Sequence, residues 1–163
     1  MTGPIARLLG ADHARVEELL TRAATDPTAY AEFRRGLLRH IGMEEKILFP
    51  AAQRARGGEP LPEAGRLRLD HGALAALLVP SPTPAILHTI RAILARHNAI
   101  EEGMDGVYAA CERLAGVDLH SLVTALETAP EVPLSPNVDS ERVTAALHRA
   151  LARAGYALEE FEG

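Results

Sequence analysis

Two stretches of the chain set an imidazole four residues ahead of a carboxylate. RHIGMEEKILFP, residues 39–50, pairs His40 with Glu44, and RHNAIEEGMDGVY, residues 96–108, pairs His97 with Glu101. Each is preceded by an Asp-His step: Asp12-His13 in ADHARVEELL and Asp70-His71 in LDHGALAALL. His13 and His40 are 27 residues apart, and His71 and His97 are 26 apart. Such matched intervals mark an internal duplication of about 57 residues, each copy a helical pair. Neutral imidazoles bind borderline metals, and carboxylates can bridge two ions. Iron, manganese, cobalt and zinc all suit four histidines and two glutamates. Two bridging glutamates with two histidines per ion leave positions open for dioxygen, nitric oxide, peroxide or water.

Direction decides whether these residues can meet. Helical positions four apart differ by about 40° in direction, so His40 shares a face with Glu44 and His97 with Glu101. Phe33, Leu37 and Ile47 lie on the first of those faces, and Ile90, Ile93, Leu94, Met104 and Tyr108 on the second. His13 runs with Leu9, Val16 and Leu20, and His71 with Leu67, Leu74 and Leu78. All six polar residues therefore sit on apolar stripes and point into a common interior. Carboxylates buried without compensation are strongly disfavoured, and a cation compensates them. One His-x-x-x-Glu pair alone is usually a surface helix pair. The duplicated register is what singles out a dinuclear site of His13, His40, Glu44, His71, His97 and Glu101.

Other residues are read more plainly. Glu17 stands four after His13, but its counterpart in the second copy is Ala75, so the duplication does not support it as an extra ligand. Asp12 and Asp70 have the chemistry to orient imidazoles from behind, but they lie about 100° from the histidines they precede, and solvent is the expected place. Glu45 and Glu102 are expected at the surface or behind the ligands. Tyr108 could donate a hydrogen bond to a ligand bound at the site, but it would stand about 10 Å along a continuous helix from Glu101, so it and Cys111 are expected to pack the core. Met43 and Met104 are gap-fillers. His88, His120 and His148 have no partners in the pattern.

The elements that must position these groups are helices. Pro and Gly divide the chain into segments of helical length: about 4–24, 28–56 with a kink at Pro50, 62–79, and 84–114. Short connections between them imply an all-α, up-down-up-down four-helix bundle. LHSLVTALET adds a short fifth helix, and APEVPLSPN reads as an extended connector. Asp139 is placed to cap a last amphipathic helix whose apolar positions are Val143, Ala146, Leu147, Ala150 and Leu151. The expected division is 1–128 for the bundle and 129–163 for a linker and C-terminal helix. That helix docks on the bundle or sits at a dimer contact, leaving monomer and homodimer open.

Composition bounds the class. Of 163 residues, 47% are hydrophobic and 24% charged, a globular balance. Aromatics make up only 4% and Trp is absent, so aliphatic side chains must fill the core, which favours packed helices. The net charge of −5 offers no basic field to nucleic acid. No apolar run approaches the roughly 20 residues that span a bilayer, and the N-terminal residues lack the apolar core of a secretion signal. A single cysteine, Cys111, fits a reducing compartment, so a cytoplasmic location is expected.

At these residues the sequence resembles the hemerythrin-like, or HHE cation-binding, family. The resemblance spans about residues 8–115 and rests on His13, HIGMEEKILFP, the Asp-His of residues 70–71, and HNAIEE. It implies a four-helix bundle with a non-haem di-iron centre, two iron ions bridged by Glu44 and Glu101 and bound terminally by His13, His40, His71 and His97. Zinc or manganese would also suit these donors. The oxygen-carrying members use a fifth histidine, four after the third-helix one, where this chain has Ala75. They also place an Asp five after the fourth-helix histidine, where this chain writes Glu at four. The symmetric four-His, two-Glu set is closer to bacterial iron-sulfur-repair proteins, although their N-terminal cysteine-containing domain is not in this sequence. Ferritin-like bundles write Glu-x-x-His, with the carboxylate first, and this chain writes the reverse. The implied function is to bind or sense a small oxidant: dioxygen, nitric oxide or peroxide. The alternative is iron donation or peroxide consumption on the same centre.

Overall fold

A computed structural model describes residues 2–158. Among these the fold is all helical. Helix α1 spans Pro4–Ala23, α2 Pro27–Met43, α3 Phe49–Ala55, α4 Ala64–Leu77, α5 Pro84–Glu102, α6 Val107–Ala115, α7 Leu119–Glu127 and α8 Glu141–Ala154. The main helices start on expected chemistry. Pro occupies the first turn of α1, α2 and α5, where its missing N–H costs nothing. Asp26 caps α2 by accepting from the Thr28 amide at 2.9 Å, and Thr83 caps α5 by accepting from Ile86 at 3.2 Å.

Helices α1, α2, α4 and α5 form the bundle, with α1 packed on both α2 and α5, and α4 on α5. Its interior is two apolar clusters rather than one. One end holds Val16, Leu20, Phe33, Leu37, Leu74, Leu77, Ile90 and Ile93. The other holds Ile5, Leu9, Met43, Leu48, Phe49, Leu67 and Tyr108. His13 falls between Leu9 and Val16 on α1, and His40 between Leu37 and Met43 on α2. The ligand candidates thus form a polar layer that divides the core.

Three features of the backbone differ from the sequence reading. In place of a kink at Pro50, a π-helical turn runs over Glu44–Leu48, in which the Phe49 N–H reaches back to the Glu44 carbonyl. Pro50 cannot donate to the carbonyl one α-helical turn behind it, and the wider turn absorbs the mismatch. The expected fourth helix is broken in two, α5 ending at Glu102 and α6 starting at Val107. Met104 therefore lies in the break, 94% exposed, instead of filling the core. Ser140, not Asp139, caps the last helix by accepting from Val143 at 3.2 Å. Asp139 instead accepts from the Ser81 amide at 2.9 Å, tying the connector to the loop before α5.

The connector 129–138 crosses the bundle on polar anchors. Arg39 Nε donates to the Ala129 carbonyl at 3.1 Å, Arg34 Nη2 to Ser135 at 3.0 Å, and Asn137 Nδ2 to Pro80 at 2.9 Å. Helix α8 then lies along α4 and adds Leu147, Leu151 and Ala154 to the first apolar cluster. Burial of each leucine stabilises this contact by roughly 1.5–3 kcal/mol.

Candidate metal centre

The six residues singled out by spacing converge. His13, His40, His71, His97, Glu44 and Glu101 are all buried, the two glutamates with no exposed surface. Glu44, His71, His97 and Glu101 each place a donor atom within 4.8 Å of one another, and so do His13, His40 and Glu101. Glu44 Oε1 lies 3.3 Å from both His40 Nε2 and His71 Nε2. Glu101 Oε1 lies 3.2 Å from His13 Nε2 and 3.3 Å from His97 Nε2. Each glutamate therefore touches one imidazole from each copy of the duplication, the placement that a bridging carboxylate needs.

Behind each imidazole stands a further carboxylate, on its Nδ1 side. Asp12 Oδ2 is 2.7 Å from His40 Nδ1, Glu45 Oε1 is 2.8 Å from His71 Nδ1, and Asp70 Oδ2 is 3.1 Å from His97 Nδ1. Glu102 Oε1 stands 3.2 Å from His13 Nδ1. Gly10 makes room there, since a Cβ on it would meet that Glu102 oxygen at 2.9 Å. The expectation that Asp12 and Asp70 are solvated is wrong: Asp70 is 1% exposed. The 100° turn from each ligand aims its neighbour across the groove at the histidine of the adjacent helix. Asp12 beside His13 serves His40, and Asp70 beside His71 serves His97. Glu45 beside Glu44 serves His71, and Glu102 beside Glu101 faces His13. At His40, His71 and His97 the partner fixes the ring proton on Nδ1 and turns the Nε2 lone pair inward, while His13 Nδ1 makes no hydrogen bond among the described residues.

Tyr108 is the larger departure. Its phenol oxygen is 3.0 Å from His13 Nε2, 3.3 Å from His40 Nε2, and 3.1 Å from both Glu44 Oε2 and Glu101 Oε1. The helix is interrupted between Glu102 and Val107, and α6 then runs on beside the start of α1, Glu112 accepting from the Ala6 amide at 3.0 Å, so that Tyr108 reaches the cluster from the first turn of α6. Gly106 enables the turn: a Cβ at that position would lie 2.7 Å from the carbonyl oxygens of Ile100 and Glu101. The Gly103–Gly106 pair in EEGMDGVY was the available signal, and a continuous helical reading passed over it. Cys111 does pack the core as expected, and burial first, then the Glu44 and Glu101 charges, push its thiol up to about 12. Glu17 stays out of the cluster; its carboxylate is largely exposed and lies 4.0 Å from Arg91.

The electrostatics express a need for positive charge. Burial opposes a charged His40, but Glu44 and Asp12 outweigh it and raise that imidazole to about 10. Burial likewise opposes a charged His97, but Asp70, Glu101 and Glu44 raise it to about 12. His71 is also raised, against burial, by Glu44 and Glu45. Glu44 is held well below the usual carboxylate range, burial being overcome by its histidine neighbours. Metal-free, the cluster gathers protons to balance its carboxylates. Two observations say that a cation fits better. His71 Nε2 and His97 Nε2 face each other at 3.2 Å, a clash of lone pairs when both ring protons sit on Nδ1. Glu44 Oε1 and Glu101 Oε2 are buried with no hydrogen-bond partner among the described residues.

A cavity of about 120 Å³ opens on the cluster and is lined by His13, His40, Glu44, His71 and His97 on one side and by Val16, Leu20, Leu37, Leu74 and Leu94 on the other. Arg91, Glu17 and Asn98 stand around it.

The family model of the hemerythrin HHE cation binding domain matches residues 5–104. The chain belongs to that family. The match covers α1 through α5 and thus all six candidate ligands, while Tyr108 lies four residues beyond its end. Searches among curated proteins and among solved structures gave no significant match. Membership in the hemerythrin HHE family and the buried histidine–glutamate cluster together identify a metal centre. Among the described residues no helix is long and apolar enough to cross a membrane.

Proposed function

We propose that this hemerythrin-domain protein holds two iron ions and binds or senses a small oxidant: dioxygen, nitric oxide or peroxide. His13 and His40 hold one ion, His71 and His97 the other, and Glu44 and Glu101 lie between the two. The observation that carries the reading is the junction of this donor set with the apolar cavity. Iron held there supplies redox-active ions with coordination positions that a diatomic molecule or peroxide can take.

The chain's own residues define what reaches the site. The cavity is smaller than an apolar cavity of about 150 Å³ that accepts benzene, a size that suits a small molecule. Leu74 and Leu94 keep it apolar, which favours uncharged diatomics and hydrogen peroxide over anions. Asp12, Glu45 and Asp70 hold the ring protons of His40, His71 and His97 on Nδ1 and so keep Nε2 free to coordinate. Burial of all six ligands favours resident ions over ions passed to other proteins. The single buried Cys111 agrees with a cytoplasmic setting.

Elemental analysis of the purified protein, paired with optical spectra before and after reduction, tests this. Two irons per chain are expected, with spectra that change on reduction and again when the ferrous protein meets oxygen or nitric oxide. Iron absent from the protein, or ferrous spectra unmoved by both gases, would overturn the proposal.

A further inference from the structure

We infer that Tyr108 is itself a ligand, a further donor to the ion held by His13 and His40. This rests on the metal-centre reading above and adds a donor that neither the duplication nor the family match contains.

The argument is geometric. Nitrogen and oxygen donors sit about 2.0–2.2 Å from a transition-metal ion. Two such donors at right angles are then about 3.0 Å apart. The Tyr108 oxygen stands 3.0–3.3 Å from four atoms at once: His13 Nε2, His40 Nε2, Glu44 Oε2 and Glu101 Oε1. These are edge lengths of one coordination polyhedron, with the phenol oxygen as one vertex. A phenol also carries a single proton to donate, so it cannot serve all four neighbours as a hydrogen-bond donor. A cation among the five atoms satisfies them together.

The surroundings are built for this role. Tyr108 has no exposed surface, and it reaches the cluster only through a helix break in which nothing larger than Gly106 fits. It belongs to the apolar cluster of Leu9, Met43 and Phe49, on the far side of the ligand layer from the cavity. The cavity is walled by the other cluster, and neither Tyr108 nor Glu101 lines it. Among the described residues no phenol oxygen stands against His71 or His97; the ring beside His71 is Phe49, at 6.2 Å between centroids. One face of the centre is thus closed by protein and the other faces the entry path. On coordination the phenol O–H bond breaks and its proton leaves to solvent; no oxidation state changes.

The test uses the full chain loaded anaerobically with ferrous iron and then oxidised. The ferric wild type should show a visible phenolate-to-iron charge-transfer band and, on excitation into it, resonance Raman ring modes of a coordinated tyrosinate. Growth on ring-deuterated tyrosine should shift those modes. Tyr108→Phe should abolish band and modes, while Tyr30→Phe and Tyr156→Phe retain them. Wild-type protein that carries iron without tyrosinate modes, or modes that survive in Tyr108→Phe, overturns the inference and leaves the metal centre standing. Wild-type protein that takes up no iron removes both. Should Tyr108→Phe fail to fold, the isotope shift in the wild type still decides whether a tyrosinate is bound, and the two control variants decide which one.

Discussion

Asp70→Asn isolates what the outer carboxylates contribute. Asp70 Oδ2 accepts from His97 Nδ1 at 3.1 Å, and Oδ1 accepts from Tyr156 Oη at 3.0 Å and from Arg66 Nη2. Asparagine keeps the shape but has one acceptor and one donor end. If the amide NH2 faces His97, the imidazole must move its proton to Nε2 and can no longer coordinate. If it faces the other way, it opposes the Arg66 and Tyr156 donors. Loss of such an orienting partner typically costs ten- to a hundred-fold in metal affinity, or about 1.4–2.8 kcal/mol. The loss should fall on one ion, since the His13 and His40 partners are Glu102 and Asp12. Chelator competition should therefore turn biphasic in the variant, one ion released ten- to a hundred-fold more readily and the other unchanged. The acid limb adds a check. Burial opposes ionisation of Asp70, but His97, Arg66 and Tyr156 lower it below the usual 3.8. Its contribution to the folded state is thus present above about pH 3.8 and lost as pH falls through the lower folded value. The metal-free variant should lack that part of the acid-induced loss. Equal weakening of both ions, or no weakening, would refute the orienting role.

Three further outcomes are expected. Leu74→Trp fills the cavity at a packing cost of about 1–3 kcal/mol; iron content should hold while nitric oxide binding to the ferrous protein slows at least tenfold, and unchanged binding rates would place the entry path elsewhere. In the metal-free protein the folded values of about 10 for His40 and about 12 for His97 exceed their usual 6.5, so their stabilising charge is complete below about pH 6.5 and is lost as pH rises through the folded values. Metal must displace those protons, so affinity should climb with pH over that window, and calorimetry in two buffers at about pH 7.5 should show release of at least two protons per chain; release near zero would mean neutral imidazoles. We also propose that residues 129–163 are a docked extension of a 1–128 bundle: a chain cut after residue 128 should lose roughly 3–6 kcal/mol in urea unfolding, from Leu147 and Leu151, yet still bind metal, and a truncated chain that does not fold would refute a separable bundle.

The six convergent residues were legible because two periodicities agreed. The i, i+4 spacing set a face, and the duplication set which faces meet. The helical class followed from the same spacing and from a core short of aromatics. What escaped reading was whatever depends on direction between helices. Asp12 and Asp70 are neighbours of ligands in sequence, and a rotation of 100° says only that they leave the ligand's own face. Whether that direction meets water or the next helix depends on packing, which one helix cannot report. The repeated Asp-His and Glu-Glu dipeptides held the clue, since four acidic neighbours beside four of the six ligands exceed what solubility asks for. Tyr108 was missed because a helical wheel assumes one continuous helix. The Gly103 and Gly106 break invalidates that assumption by interrupting the helix between Glu102 and Val107.

The duplication and the break together explain how a two-fold ligand set can serve a one-sided task. Symmetry supplies two equivalent pairs of imidazoles, and Glu44 and Glu101 each join one ring from either copy. A site left in that state would present two like ions to solvent and to the cavity alike. The chain departs from symmetry at the end of α5, where the first copy continues through a π-helical turn into α3 and the second breaks at Gly103–Gly106. The first arrangement keeps Glu44 in register with Glu45 behind His71. The second brings the Tyr108 oxygen within 3.0 Å of His13 Nε2 and 3.3 Å of His40 Nε2. The apolar cluster on that side is then sealed by Phe49, Leu9 and Tyr108, while the opposite cluster leaves the cavity beside Leu74 and Leu94. On the function proposed above, this one-sidedness sets where a small ligand meets the centre: the cavity lies between the histidines and the leucine wall of Leu20, Leu37, Leu74 and Leu94.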